Sequence, residues 1–121
     1  MDNSFIDEVV SLFKEDYNGD DLHHWIDLDR LFVKSYENEL MIRDLKYTKA
    51  KTLVIARIAF KHQRRGYGKR LLCIMEEFVR SNNYSSIVIE QAHTPEINSF
   101  AEKNGFELVC EINCTWEKEI S

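Results

Sequence analysis

The residues of this chain best suited to bind an anion lie in a basic, glycine-containing heptapeptide, Gln63 to Lys69. It follows the apolar run 52–60 and precedes an apolar-periodic segment, Leu71 to Val79, so the predicted order is strand, glycine turn and helix. The first N–H groups of such a helix have no intrahelical partner, and the helix dipole adds partial positive charge there. Gly66 and Gly68 lack Cβ, so a phosphate can approach the main chain closely. The spacing alone fits a phosphate-binding turn or an ordinary basic strand-to-helix connection.

Two other phosphate-binding loops fit these residues less well. A Walker loop requires Ser or Thr after its lysine, and here Arg70 follows Lys69. The dinucleotide-binding fingerprint requires a third glycine three residues after Gly68, where this chain has Leu71.

The pattern Gln63-x-x-Gly66-x-Gly68 resembles the acetyl-CoA signature of the GNAT superfamily of N-acetyltransferases, Gln/Arg-x-x-Gly-x-Gly/Ala. A second stretch, 100–106, reads FAEKNGF and resembles the later GNAT motif, a short helix that ends in Tyr-Glu-Lys-x-Gly-Phe. The resemblance covers about residues 52–106, and residues 1–50 carry no recognised motif. The residues around the second stretch independently predict a helix, because Thr94 can cap it, Pro95 suits its first position and Gly105 suits its end.

The resemblance implies an α/β (α+β) fold. It would be a GNAT-like mixed, mostly antiparallel sheet with a central splayed parallel strand pair and flanking helices, in one acetyl-CoA-binding domain over residues 1–121. It also implies acetyl-CoA as the acetyl donor, with the thioester arm of the coenzyme between the two splayed strands. The implied cofactor-binding residues are Ile58, Ala59 and Phe60 for pantetheine, and Gln63, Arg64, Arg65, Gly66, Tyr67, Gly68, Lys69 and Arg70 around the phosphates. Of the cations Lys61, Arg64, Lys69 and Arg70, one or two are expected to bind the 3′-phosphate.

The elements that must position this turn follow from periodicity. Helices are predicted over 4–16, 66–81 and 95–104, and strands over 30–36, 39–47, 52–60 and 85–91, the first two forming a hairpin. The two strands that flank the helix at 66–81 form a βαβ unit, so they should be parallel neighbours. Residues 22–29 are ambiguous, and the alternating tail 106–119 is either one long strand or a tightly turned pair. The N-terminal half is short for a GNAT protein, so it either completes the fold alone or needs an element from a partner chain.

Acetyl transfer to an amine requires the amine to be neutral, and a lysine-like amine is only about one part in 2,500 neutral at pH 7. GNAT proteins often place a glutamate base where this chain has Thr52, and a tyrosine acid where it has Ala101. Some place a glutamate on the second splayed strand, which makes Glu90 the predicted catalytic residue. Other candidate bases are Glu37, Glu39 and His93.

Composition limits the class of protein. The 121 residues carry a net charge of −5, yet residues 61–70 are basic without an acid, which favours a small anionic ligand over nucleic acid. No apolar run has the length of a membrane span and no basic signal segment is present, so a cytoplasmic protein is expected. We interpret Cys73, Cys110 and Cys114 as reduced thiols in or near the core. No metal site is predicted, and His23-His24-Trp25 is assigned to a surface or a substrate groove.

Three functions therefore remain open. The first is N-acetyl transfer by direct attack of a primary amine on acetyl-CoA; the acidic chain favours a cationic acceptor, and a homodimer is compatible with this function. The second is a catalytically degenerate GNAT fold that binds CoA or a protein partner without turnover. The third is a nucleic-acid-binding module that uses residues 61–70.

Overall fold

A computed structural model describes residues 1–63 and 65–120 of the chain. The elements in these residues are α1 (Asn3–Asp16), β1 (His23–Asp27), β2 (Arg30–Lys34), β3 (Glu39–Leu45), β4 (Thr52–Ala59), α2 (Tyr67–Ser81), β5 (Ser86–Ile89), α3 (Pro95–Lys103), β6 (Glu107–Cys110) and β7 (Thr115–Glu119). The strands form one sheet in the order β1-β2-β3-β4-β5-β7-β6. Its pairs are antiparallel except β4 with β5, which confirms the predicted mixed, mostly antiparallel sheet.

One face of the sheet carries the core. Leu31, Ile42, Ile55 and Ile89 are cross-strand partners in the same row and are all buried, so they lie on the same face. The described helices cover this face of the sheet, which we call the helix face. Phe5 of α1 packs on Phe78 of α2 (ring centroids 4.6 Å apart), Glu76 of α2 pairs with Lys118 of β7, and Asn98 of α3 accepts from Trp116 of β7.

The opposite face, which we call the open face, carries Phe32, Met41, Arg43, Val54 and Val88. Four of these side chains are half-buried rather than buried; Val54 alone is fully covered. An antiparallel sheet tolerates such an arrangement, because one face can pack on a core while the other remains in contact with water.

The parallel pair separates before its end. β4 and β5 are in register from Thr52 with Ser86 to Ile55 with Ile89, and β4 then continues to Ala59 without β5 beside it. Beyond Glu90 the chain turns towards β7, where Ala92 N–H donates to the carbonyl of Cys114. This is the predicted splayed pair.

A β-bulge at Ala56 sets which side chains of β4 face the core. Ile55 pairs with Ile42 and Arg57 with Met41, so Ala56 has no partner on β3. The extra residue reverses the alternation. Ile58 is therefore half-buried towards the helices, while Arg57 is exposed with Met41 on the open face.

The N-terminal half supplies one helix and a three-stranded meander. Residues 23–27, within the segment left ambiguous by the sequence, form β1, which closes on β2 through a tight turn at Leu28 and Asp29. The predicted hairpin of β2 and β3 is confirmed.

Of the two alternatives for the tail 106–119, one long strand or a tightly turned pair, the structure has the turned pair. β6 and β7 are antiparallel, and Cys114 takes a positive φ of 49° in the turn between them. The apolar alternation runs across this turn, which is why Ile112 is 92% exposed rather than part of a strand face. The interpretation of Cys73 as a core residue is wrong, because it is exposed on the solvent side of α2.

Both ends of α3 are as the sequence predicts. Thr94 Oγ1 accepts from Ile97 N–H at 3.2 Å, and Pro95 opens the helix. Gly105 takes φ +84°, and Phe106 N–H returns to the carbonyl of Ala101 at 3.0 Å.

A buried hydroxyl–carboxylate bond joins β3 to the start of β5 and generates a stability prediction. Tyr84 OH donates to Asp44 Oδ1 at 2.6 Å, and burial followed by this bond raises the pKa of the phenol, so it stays protonated at neutral pH. Tyr84→Phe leaves a buried carboxylate short of a donor and should lower the free energy of unfolding by about 1.5–3 kcal/mol. Urea unfolding measures this. Tyr36→Phe, at a 93% exposed ring, is the control and should lose less than about 0.5 kcal/mol; equal losses would contradict the assignment.

Candidate functional site

The glycine turn presents the start of α2 to solvent. Gly66 is the N-cap residue in a left-handed conformation (φ +79°), and the first helical bond runs from Arg70 N–H to the carbonyl of Gly66 at 3.0 Å. The N–H groups of Tyr67, Gly68 and Lys69 precede that bond and have no acceptor inside the helix. The turn therefore holds three adjacent donors at the positive end of the helix dipole.

Gly66 and Gly68 are glycines for different reasons. A Cβ at Gly66 would meet nothing within 4 Å, so only its positive φ requires glycine in the free protein. A Cβ at Gly68 would lie 3.0 Å from the ring of Phe100 on α3, so its absence lets α2 and α3 approach. A branched residue at Gly68 would therefore disturb helix packing as well as any ligand.

A buried carboxylate fixes the beginning of the turn. Asp16, whose side chain is fully buried, accepts from the main-chain N–H of Lys61 at 2.8 Å and of His62 at 3.1 Å. It also accepts from Asn38 Nδ2 at 2.6 Å and lies 2.8 Å from His62 Nδ1. The last residue of α1 thus holds both the β2–β3 turn and the segment that follows β4.

These bonds keep Asp16 ionised despite its burial. Burial by itself raises the pKa of the carboxyl, but the bonds from Asn38 and His62, and then from the Lys61 N–H, outweigh it and hold the pKa below its usual value. The N–H groups of Lys61 and His62 are therefore occupied within the protein. Those that remain for a ligand lie further along, at the start of α2.

Several predicted side chains contact one another in the turn. Gln63 Nε2 donates to the carbonyl of Phe60 at 2.6 Å, so this glutamine closes the turn on itself. Tyr67 stacks on Phe60 at 5.5 Å, which in turn stacks on Phe13 of α1 at 4.5 Å. The contacts give Gln63 and Tyr67 packing roles in the free protein.

The predicted cations fall into two groups. Arg70 forms a bidentate pair with Glu15 (3.0 and 2.7 Å), and Lys61 pairs with Glu37 at 3.4 Å. Arg65 and Lys69 are exposed and form no ion pair with a described residue. Arg64 lies outside the described residues.

The predicted pantetheine segment lies along the exposed edge of β4. Ala59 is exposed, Ile58 is half-buried and Phe60 is buried, and β5 pairs with none of them. The N–H and C=O groups of Ile58 point away from β3 and are thus available at the edge towards the gap, whereas those of Ala59 face Glu39 of β3 and the carbonyl of Phe60 is occupied by Gln63.

Glu90 lies where the strands separate. Its N–H donates to the carbonyl of Ile55 at 3.0 Å, the last bond between the two strands, and its carboxylate is 3.0 Å from Arg43 Nη1 on the open face. About a third of each side chain is exposed. As a base, Glu90 would have to accept a proton beside the Arg43 guanidinium.

The other candidate catalytic residues are dispersed. Thr52 is buried at the other end of β4, where its Oγ1 lies 3.1 Å from Ser86 Oγ. Ala101 is fully buried in α3, so a tyrosine there would overpack the core rather than reach a ligand. Glu39 pairs with Lys34 on the open face, and His93 is exposed beyond β5.

Comparison with solved structures decides the fold. The aminoglycoside 6′-acetyltransferase type Ii matches 98% of this chain over 91% of its own, with a TM-score of 0.58 and 15% identity. The PaiA N-acetyltransferase of Thermoplasma acidophilum, in complex with coenzyme A, aligns with 96% of this chain and 91% of its own chain, with a TM-score of 0.57 and 16% identity. A GNAT family acetyltransferase of Elizabethkingia anophelis with acetyl-CoA bound aligns with 75% of this chain and 75% of its own chain, with a TM-score of 0.54 and 17% identity. This chain has the GNAT fold. No protein-family model matches the sequence, and no curated protein is significantly similar to it.

Sequence reasoning named the turn, the end of β4 and Glu90, and these lie at or beyond the point where β4 and β5 separate. It did not find Asp16, Asn38, His62 or Arg43. Asp16 has the sequence signature of any polar residue at a helix end, and its partners are 22 to 46 residues away along the chain. Neither periodicity nor motif spacing carries information about contacts of that kind.

Other features do not lie at the gap. A groove of about 620 Å³ lies between α1 and α2 and is lined by Asp7, Glu8 and Glu15 as well as Arg70. Such acidic walls do not suit a phosphate. No described helix has the length and apolar character for crossing a membrane, and no cluster of three or more His, Cys, Asp or Glu in the described residues could hold a metal ion.

The Asp16 anchor gives a stability prediction with a pH dependence. Asp16→Asn places an NH2 group against donors and should lower the free energy of unfolding by about 2–3 kcal/mol at pH 7. The folded-state pKa is below the unfolded value of about 3.9, so the contribution is complete above that pH and is lost as pH falls through the folded pKa. The gap between wild type and variant should therefore narrow in acid, as measured by urea unfolding at a series of pH values.

Glu15→Gln is the matched control. It removes the neighbouring carboxylate, which is exposed and paired only with Arg70, and should cost less than about 1 kcal/mol. If Asp16→Asn is no worse than Glu15→Gln, Asp16 does not anchor the turn.

Proposed function

We propose that this protein is an acetyltransferase that moves an acetyl group from acetyl-CoA to a primary amine by direct transfer, in one domain over residues 1–121. The observation that supports this most is the gap where β4 runs past the end of β5 into a turn whose three N–H groups, at Tyr67, Gly68 and Lys69, precede the first helical bond of α2. Several proteins of the same fold were solved with coenzyme A or acetyl-CoA bound. We expect the protein to act in the cytoplasm.

The described residues fit this ligand. The pyrophosphate would accept from the N–H groups of Tyr67, Gly68 and Lys69, beside the open space at Gly66. Among the described cations of the turn, Lys69 and Arg65 form no ion pair, so either can move to the 3′-phosphate without breaking one. The pantetheine arm would pair with the free main-chain groups of Ile58 and pass beside the exposed Ala59.

In the proposed transfer, the amine nitrogen attacks the thioester carbonyl, the C–S bond breaks and coenzyme A leaves as its thiolate; the amine loses one proton and the thiolate takes up one to give the free thiol. Holding the two reactants together can contribute about 7 kcal/mol or more. Glu90 is the candidate to accept the proton, because it lies at the mouth of the gap on the open face, which the described helices do not cover. A covalent acetyl-enzyme is disfavoured, since Cys73 is exposed on α2 rather than directed into the gap.

Binding without turnover is the alternative function. Thr52 and Ala101 occupy the positions where GNAT proteins often carry their base and acid, and both are buried. Glu90 in turn is held by Arg43. A protein with these features could retain CoA and use it, or the fold around it, to bind a partner.

The acceptor is proposed from charge. A net charge of −5 favours a cationic amine. A screen for thiol release from acetyl-CoA should include a polyamine, an aminoglycoside and a lysine peptide, with mass spectrometry of the acetylated product.

Acetyl-CoA should stabilise the protein against heat by RT ln(1 + [L]/Kd), which is about 2.7 kcal/mol at a hundred times Kd. Dephospho-CoA should stabilise it less, because it lacks the phosphate proposed to contact Lys69 or Arg65. A thermal-shift titration measures both. The absence of a shift with millimolar acetyl-CoA would reject the proposed ligand.

Gly66→Ala tests the position of the pyrophosphate, and Gly105→Ala is its control. Both glycines have a positive φ (79° and 84°) and room for a Cβ, so both variants should lose a similar stability of about 1–2 kcal/mol. Gly66→Ala alone should weaken acetyl-CoA binding, at least about tenfold by calorimetry. Equal affinity in the two variants would show that the phosphates bind elsewhere.

Glu90→Gln tests turnover. If Glu90 accepts the proton, the variant should lose far more rate near pH 7 than near about pH 9, where more of the amine is neutral by itself. Glu39→Gln, on the same face, is the control and should show no such rescue. A wild type that binds acetyl-CoA but releases no thiol with any amine would favour binding without turnover. An active Glu90→Gln enzyme with an unchanged pH profile would reject Glu90 as the base.

A further inference from the structure

The edge strand β1 is exposed over its whole length. It pairs with β2 on one side only, and all five of its residues, His23–Asp27, are exposed. Two of them are large apolar residues, Trp25 at 44% and Ile26 at 48%. The strand carries one charged residue, Asp27, but no lysine, proline or bulge, three features by which exposed edges often avoid pairing with another chain.

The hydrogen-bond pattern of β2 identifies the free groups of β1. Ser35 N–H donates to the carbonyl of Asn38, and Asp44 N–H donates to the carbonyl of Asp29. Residues 29 and 35 are therefore in hydrogen-bonded pairs with β3 or its ends, and so are the odd-numbered residues between them. The even-numbered residues of β2 therefore bond to β1, and their partners there are the odd-numbered residues His23, Trp25 and Asp27. The N–H and C=O groups of His24 and Ile26 point away from the sheet.

We propose that two copies of this chain associate by antiparallel pairing of their β1 strands, with Trp25 of each copy opposite Trp25 of the other. In this register His24 lies opposite Ile26 of the second copy, and the outward N–H and C=O groups of these two residues form four hydrogen bonds across the twofold axis. If the register were shifted by two residues, His24 or Ile26 would lie opposite the same residue of the second copy. Only the two hydrogen bonds of that one pair would then form between the β1 strands.

The side chains of residues 22–28 match themselves in that register. His23 lies opposite Asp27 of the second copy, which gives two donor–carboxylate contacts related by the twofold axis. Leu22 and Leu28 flank β1 at equal distances along the chain from Trp25, and Leu28, in the turn that follows, is 91% exposed. This self-complementarity favours a second copy over an unrelated extended segment.

Trp25 is already ordered for such a contact. Its ring stacks on Phe32 of β2, with centroids 4.9 Å apart and an angle of 9° between the planes. A pre-ordered aromatic loses little conformational entropy on association. The other edge strand, β6, also exposes Leu108 and Val109, but self-pairing of its Glu107–Cys110 segment brings no opposite charges together.

Sedimentation equilibrium over a micromolar concentration series should show a monomer–dimer equilibrium for the wild type. Ile26→Pro removes an outward N–H without touching the ladder to β2, and Trp25→Thr removes the central ring; each should raise the dimer dissociation constant at least about tenfold. Leu108→Thr, an equally exposed residue (43%) on the other edge, is the control and should leave the constant unchanged. Circular dichroism checks that each variant is folded.

A charge exchange tests the register and guards against a variant that fails to fold. Asp27→Lys should weaken the dimer, and adding His23→Glu should restore it, because glutamate then lies opposite lysine. A monomeric wild type, larger oligomers, loss of the dimer in Leu108→Thr, or a dimer unaffected by Ile26→Pro or by Asp27→Lys would each overturn the proposal.

Discussion

The Asp16 carboxylate is the point at which three separate parts of the chain meet. It ends α1, receives the amide of Asn38 from the β2–β3 turn, and receives the N–H groups of Lys61 and His62 as the chain leaves β4. A buried charge is costly unless it is fully hydrogen-bonded, so this cluster forms only when all three segments are in place. The position of the glycine turn thus depends on the packing of α1 as well as on the turn's own sequence.

The same carboxylate divides the donors of the turn into two sets. The N–H groups nearest β4 are used inside the protein, and those at the start of α2 point outward. Asp16 holds the first set in the way that a bound anion would, which lets the turn be ordered before a ligand arrives. A preformed turn avoids the entropy cost of ordering on binding. For the proposed acetyl-CoA site, affinity would then depend on a residue that does not touch the coenzyme.

The sequence predicted most elements because their signals are local. Thr94, Pro95 and Gly105 define α3 by capping chemistry alone, and the apolar run after residue 52 is unambiguous as a strand. β1 was missed because its five residues are exposed on both faces, so no alternation marks them. The environment of Glu90 was also missed, because Arg43 is 47 residues away and is brought near only by the β3–β4 register. The bulge at Ala56, which helps to set that register, has no marker such as glycine.

The open face of the sheet and the outer edge of β1 are both uncovered because the N-terminal half of the chain is short. One helix is enough to close the helix face against α2, and nothing among the described residues remains to cover the other side. On the open face the Arg43–Glu90 pair spans β4 beside Val54, the cross-strand partner of Arg43, and Val54 is buried although no described helix covers this face. At β1 no comparable pair exists within one chain, and Trp25 covers Phe32 only by exposing its own outer face. The open face can therefore be satisfied within one copy, whereas the outward groups of β1 can be paired only by another chain or by water.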